Sequence, residues 1–341
     1  MAVSSGRAAA HVPRFEVTIG GTTLKSAEGG VTDVVVETSL DGADRFSLTL
    51  NQAFDPEHEE FPGLTWDDFS TATSVSVSLG WEGVGDLREL FVGKVHQLTT
   101  SVAQGQGASV GVSGYGVLHD MMQGKKDRSW TKAKVGDVVE EVLSSYFGDV
   151  TVDAKGTKHD KIYQHDQSDY RFVDDLASKY GYQFYATQNA VTFAPRESVG
   201  GEPGVKLSYP GVLQSFSGEI DEAGAVKTVE VRHYDMQKEK EIVGTASGDA
   251  NNSKKEVFRV PCASTDEAEQ IATAKLAGLS SSLASCYGEV SPGLAGIAAG
   301  ETIGIEGVGS RFAKHYYVTN ATHRVGGSGY RTSFEATEVP E

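Results

Sequence analysis

Three His-Asp neighbours, His119-Asp120, His159-Asp160 and His165-Asp166, are the first residues to weigh for acid–base work. Neighbouring side chains diverge by about 100° on a helix and point to opposite faces of a strand, so adjacency does not aim both at one substrate. A serine nucleophile of the elbow type needs G-x-S-x-G. Gly111-Val112-Ser113-Gly114-Tyr115 and Gly326-Gly327-Ser328-Gly329-Tyr330 both place Tyr where the last Gly belongs, and both read as turns. Gly83-Val84-Gly85 has Arg88 at the third glycine position of a dinucleotide loop, and no phosphate-cradling G-x-x-x-x-G-K-[ST] exists. The adjacent carboxylates Asp174 and Asp175 fall on a predicted helix and read as a solvated face. Nine scattered His do not form a zinc cluster. Cys262 and Cys286 lack metal spacing and flank a predicted helix. Buried thiols are the default for them, with a disulfide left open. The sequons at Asn251 and Asn320 have meaning only in a secreted chain. This inventory supports no enzyme, no cofactor and no metal site.

The elements that would position any site begin with strands. Phe15, Val17 and Ile19 alternate with Glu16 and Thr18, the period-2 mark of a half-buried strand. Similar runs follow at 31–38, 45–51, 74–81, 89–99 and 108–115, broken by Gly20-Gly21, Asp41-Gly42, Gly83-Val84-Gly85 and Gly105-Gln106-Gly107. Six strands without an intervening helix predict an antiparallel barrel or sandwich over 14–124, interrupted by the acidic insert 55–68. Helical spacing then appears at Val135, Val138, Val139, Val142, Leu143 and Tyr146, with Gly148 as the stop. A second helix has Ser168 as N-cap, Phe172, Leu176 and Tyr180 on one face and Gly181 as the C′ residue. With the hairpin 182–195, turning at Gln188-Asn189, these form an α+β insert over 125–204 that ends in the Gly/Pro-rich stretch 198–204. Strands return at 213–219, 228–234 and 256–260. Ser264 and Glu267 suggest a capping box before an Ala-rich helix at 266–284, and strands at 301–306, 315–324 and 330–338 follow. The region 205–341 therefore reads as a second β-barrel domain carrying one helix, and residues 1–13 as a flexible arm.

Composition agrees with a strand-rich chain. Of 341 residues 40 are Gly, which fits many turns, and no G-X-Y period is present. Arg7 and Ala8-Ala9-Ala10 lack the apolar core of a secretory signal, and no apolar run reaches membrane-spanning length. The formal charge is −17, and the densest basic cluster is Lys125-Lys126-Asp127-Arg128. Such a surface disfavours specific nucleic-acid binding.

Two segments carry a longer pattern. The first runs from Tyr163-Gln164-His165-Asp166-Gln167-Ser168-Asp169 through Phe172, Leu176 and Ala177 to Tyr180-Gly181. It resembles the Q-x-x-x-S-D-x-x-F-(x)3-L-A…G stretch of the phage late control D family, shared with type VI secretion spike proteins. The second contains Gly300, Gly307 and Gly309, then Tyr316-Tyr317-Val318, His323 and Gly329-Tyr330-Arg331-Thr332, and is similar to the closing segment of that family. The likeness covers about 125–341. Physically these residues are structural: Ser168-Asp169 cap a helix, Phe172 and Leu176 anchor it, the glycines permit turns, and the strand with Tyr330 and Thr332 is expected beside the one with Tyr317.

The resemblance implies a mainly β fold, with two antiparallel barrels flanking the α+β region. It also implies a non-enzymatic, homotrimeric baseplate hub of a contractile tail or injection particle, joining a sixfold tail tube to a threefold spike. Expected partners are a separate spike protein, the tail tube protein, baseplate wedge proteins and a tape-measure protein or cargo. The location implied is a virion or extracellular injection particle assembled in the cytoplasm of the producing cell. The absence of β-helix repeats up to Glu341 suggests a spike on another chain, and the acidic balance suggests a negatively charged inner wall. A second class is a cell-wall-binding or lytic module, because Val135-Gly136-Asp137 ahead of a helix resembles the Gly-Asp of LysM domains.

Overall fold

The computed structural model describes residues 12–26, 30–52, 54–55, 57–58, 69–70, 72–103, 107–154, 156, 158–187, 190–195, 202–221, 224–236, 239–250, 252–281 and 283–339. Residues 1–11 of the expected arm, most of the acidic insert, the turns at 105–106 and 188–189, residues 198–201, Asn251 and the final two residues lie outside these.

The chain begins with seven strands: β1 (Pro13–Ile19), β2 (Thr22–Lys25), β3 (Val31–Ser39), β4 (Arg45–Gln52), β5 (Ser74–Trp81), β6 (Val84–Ala103) and β7 (Gly107–Gly116). A mixed stretch follows: α1 (His119–Met122), β8 (Lys126–Ala133), α2 (Val135–Ser144), β9 (Asp149–Val152), β10 (His159–Gln167), α3 (Asp169–Tyr180), β11 (Tyr182–Thr187) and β12 (Ala190–Pro195). Next come β13 (Val205–Ser208), β14 (Leu213–Ile220), β15 (Thr228–Asp235), β16 (Lys240–Ser247), β17 (Lys255–Arg259) and α4 (Thr265–Ser281). The last strands are β18 (Ala284–Val290), β19 (Thr302–Glu306), β20 (His315–Gly326) and β21 (Gly329–Glu338). The chain is mainly β with few helices, as expected, and its large sheet is a curled antiparallel half-barrel.

Two compact units divide these elements. The first comprises Met1–His119, Glu202–Ser217 and Tyr287–Ala336. Its sheet runs β14-β18-β21-β20-β3-β4-β7-β6-β5-β1-β2, with β19 also on β20 and β13 on β19. Alternation makes one face apolar: Val34, Val36, Phe46, Leu48, Leu50, Val110 and Val112 are buried in one cluster with Phe15, Val17 and Ile19. The strands expected in two barrels thus form contiguous blocks of one sheet, joined where β20 pairs with β3 and His323 faces Val36. That pairing brings together residues nearly 300 positions apart, which no local pattern encodes.

The second unit comprises Asp120–Gly201, Gly218–Cys286 and Thr337–Glu341. It holds the sheets β10-β8, β11-β12-β9 and β16-β15-β17. In this unit β15 to β17 and α4 group with the elements of the α+β insert. The reason is packing. Val229, Val231, Ile242 and Ala246 of the β16-β15-β17 sheet are buried, α4 buries Ala268, Ile271 and Ala272, and a Cβ on Gly244 would strike the Ala268 backbone. The helix in turn touches α3, where Gly181 lies against Ala274.

The helix ends also differ in detail. Helix α2 stops at Ser144 rather than at Gly148: Ser145 N–H bonds the Val142 carbonyl, and Tyr146 N–H bonds the Leu143 carbonyl at 2.9 Å, tightening the last turn. Helix α4 ends at Ser281, because Ala284 already opens β18. On α3 the buried apolar residues are Phe172, Val173, Ala177 and Tyr180. Leu176 is only half-buried, so the apolar stripe runs through Ala177.

Candidate functional site

The residues of the first motif gather in the second unit around one carboxylate. Ser168 caps α3: its Oγ accepts the Arg171 N–H at 3.2 Å, and its extended backbone ends the preceding strand. Asp169, the next residue, does not cap. Its side chain is fully buried and accepts from Lys126 Nζ at 2.7 Å, Tyr146 Oη at 2.7 Å, Gln164 Nε2 at 2.8 Å and the Arg128 guanidinium. Arg128 Nε also donates to Gln164 Oε1 at 2.9 Å, and Gln164 Nε2 reaches the Gln167 carbonyl at 3.0 Å. Burial pushes the Asp169 carboxyl up, but the hydrogen bonds from Lys126, Gln164 and Tyr146 and the charge of Arg128 outweigh it and hold it below the usual carboxylate range. Phe172 stacks on Trp130 of β8, ring centroids 5.3 Å apart. This network ties β8, β10, α3 and the end of α2 together. Lys126, Arg128 and Tyr146 were not singled out for it in the sequence, although the basic cluster at 125–128 was the visible signal.

A second carboxylate joins α3 to α4. Glu267 makes one half of the expected capping box, its N–H donating to Ser264 Oγ at 3.2 Å, while its Oε2 reaches one residue past the cap and accepts the Ala263 N–H at 2.8 Å. Its Oε1 accepts from Tyr180 Oη at 2.8 Å, with Lys179 Nζ at 3.4 Å and His159 Nδ1 at 3.8 Å. Burial raises this carboxyl, and the Ala263, Tyr180, Lys179 and His159 contacts more than reverse the effect. Gly181 takes the left-handed conformation (φ 77°) that closes α3.

The residues of the closing motif gather in the first unit around His323, which is fully buried on β20. Its Nε2 lies 2.8 Å from the Ile297 carbonyl, which can only accept, so Nε2 carries the proton. Nδ1 is then the acceptor for the Tyr330 hydroxyl at 2.9 Å and the Thr332 hydroxyl at 3.1 Å, and Thr332 Oγ1 accepts the Leu294 N–H at 3.1 Å. Burial lowers the imidazole to about 4. The β20–β21 pair is present, but Tyr330 and Thr332 reach His323, while Tyr317 pairs with Thr302 of β19. Gly300, Gly307, Gly309 and Gly329 have positive φ of 89°, 80°, 94° and 91°. At Gly307 the demand is double, since a Cβ would also sit 1.9 Å from the Tyr209 carbonyl oxygen.

The other candidates are dispersed. His165 pairs with the exposed Asp127 at 2.6 Å and Asp166 with Lys125 at 2.9 Å. Ser113 lies mid-strand in β7, and Ser328 sits in the β20–β21 turn. Val135-Gly136-Asp137 is the first turn of α2 itself. Both cysteines are free and buried, with burial pushing the Cys286 thiol up to about 12. Among the described residues no three His, Cys, Asp or Glu converge as metal ligands, and no helix is long and apolar enough to cross a membrane.

What the motifs build is therefore two buried polar keystones. The profile of the Alg8 N-terminal domain family matches residues 9–327, nearly the whole chain. The chain belongs to that family. No curated protein matches the chain in sequence. Solved structures share the family member's fold at low identity. The 43 kDa tail protein of prophage MuSo2 from Shewanella oneidensis is similar over 95% of this chain and 98% of its own, with a TM-score of 0.71 at 10% identity. A tail protein from Neisseria meningitidis MC58 is similar over 96% of this chain and 97% of its own, with a TM-score of 0.72 at 11% identity. The E. coli c3393 protein, a component of the type VI secretion system, is similar over 95% of this chain and 77% of its own, with a TM-score of 0.62 at 12% identity.

Proposed function

We propose that this chain is a non-enzymatic structural component of a tail or tail-like injection particle. The observation that supports the reading is the end-to-end likeness to tail proteins, over 95–96% of this chain and 97–98% of theirs. The finer reading is a homotrimeric baseplate hub of the late control D type, set between a tail tube and a spike, and located in the particle. It draws on the Gln164–Ser168–Asp169 and His323–Tyr330–Thr332 patterns, each of which is a buried framework of the kind an assembly part needs. A spike on a separate chain, tube and wedge proteins and a cargo or tape-measure protein are the partners of that reading. Native mass spectrometry of the purified chain, alone and with tube and spike proteins, tests it. A trimer that captures both supports the hub, and a monomer that captures neither at high micromolar concentration overturns it.

A further inference from the structure

The second unit holds a concavity that neither motif accounts for. Five elements wall it: the C-terminal turn of α3, the start of β11, the end of β12, β17 and one face of α4. Its volume is about 710 Å³, inside the range of roughly 300–1,000 Å³ found for small-molecule sites. Tyr182, Pro195, Phe258, Ala274 and Leu279 make most of the wall apolar. The room comes from α4, where Ala274, Ala277 and Gly278 share the lining face at helical spacing. A Cβ added to Gly278 meets nothing within 4 Å.

One charge stands in this wall. Lys275 is half-buried, with its Nζ 5.9 Å from the centre of the Phe258 ring. The positions three and four residues away along α4 are Ile271, Ala272, Gly278 and Leu279, so the helix supplies no carboxylate to it. Among the described residues no Asp or Glu lines the concavity, and Lys275 makes no ion pair. Lys179 of α3, by contrast, is held by Glu267 at 3.4 Å. A lone ammonium in an apolar wall suits a ligand with one carboxylate on an apolar body. The carboxylate would take up the charge, and the body would displace water from the rings. A phosphate dianion asks for more cations or a cradle of backbone N–H groups. A peptide brings N–H and C=O groups that each need a partner once buried. The wall has few to give: Thr273 Oγ1 already donates to the Glu269 carbonyl at 3.0 Å, and Gln270 Nε2 lies 3.4 Å from Tyr182 Oη.

We propose that this concavity is a binding site for a small amphiphilic carboxylate. Lys275 takes the carboxylate, and Tyr182, Phe258 and Leu279 take the apolar body. The site does not depend on the hub reading. Isothermal titration calorimetry of the full chain with octanoate, 1-octanol and octylammonium tests it. Octanoate is expected to bind at one site, at least about tenfold more tightly than either analogue. Lys275→Met keeps the length of the side chain, removes its charge and is expected to erase that preference. Gly278→Leu fills the concavity and is expected to weaken octanoate at least about tenfold. Its far-ultraviolet circular dichroism should be unchanged, since the added side chain enters open space on a helix. Wild type that ignores octanoate or binds octylammonium equally well overturns the proposal. So does octanoate affinity that either variant leaves unchanged. A monomeric native mass would count against the hub reading and leave this measurement standing.

Discussion

Asp169 and His323 are both buried polar groups, but they stabilise their units with opposite charge states. Asp169 is useful as an anion, because Lys126 and Arg128 would otherwise point at a neutral pocket. Asp169→Asn keeps the shape and removes the charge. It is expected to lower unfolding free energy by about 3 kcal/mol in urea titrations, the lower end for breaking a buried pair, since both cations keep some access to water. His323 is useful when neutral. Its folded value near 4 lies below the ordinary 6.5, so the unfolded chain takes up the proton first as pH falls. The stability it contributes is complete above about pH 6.5 and is lost progressively between there and pH 4, by about 3 kcal/mol in all. Urea midpoints taken from pH 7 to pH 4 are expected to fall more steeply for wild type than for His323→Gln. Parallel slopes would show that the imidazole does not titrate in this way.

At the scale of elements, ends matter more than middles. Gly181 closes α3 in the left-handed region, and a Cβ there would also lie 2.8 Å from that of Ala274. Gly181→Ala is therefore expected to cost about 1–3 kcal/mol, read as a lower thermal midpoint. Removing the cap of α4 by Ser264→Ala is expected to cost about 1 kcal/mol. Glu267→Ala should cost distinctly more, because the same carboxylate also holds Tyr180. If the two α4 variants melt alike, the bridge to α3 contributes nothing. These ends were legible from sequence: Ser168, Gly181 and the Ser264–Glu267 spacing all signal through local chemistry. Strands β8 and β10 were not. Their sequences, KDRSWTKA and HDKIYQHDQ, alternate charge with charge, and only Ile162 and Gln164 are buried along β10. Their pairing is held by the Asp169 network, whose members lie up to 43 residues apart. Hydrophobic periodicity cannot reveal an element stabilised in that way.

For the whole molecule the open question is the ends of the large sheet. Its path runs from β14 to β2, and among the described residues neither terminal strand has a second neighbour along that path. An uncovered edge presents unpaired N–H and C=O groups and invites pairing with another chain. Strand β2 is only four residues long with mostly exposed side chains, and Gln214, Ser215 and Ser217 of β14 are exposed too. A closed ring of copies would remove both edges at once, with each copy giving one edge and receiving the other, as a cyclic assembly requires. Proline on an edge strand removes a donor without disturbing the inner pairing when its N–H faces outward, so Thr23→Pro, placed opposite Thr18 on β1, is expected to leave the fold intact and block association. The hub reading proposed above puts wild type at three chain masses in native mass spectrometry and this variant at one, with unchanged far-ultraviolet circular dichroism. A variant that remains trimeric would show that copies meet through another surface. A wild-type monomer would remove the need for edge pairing altogether.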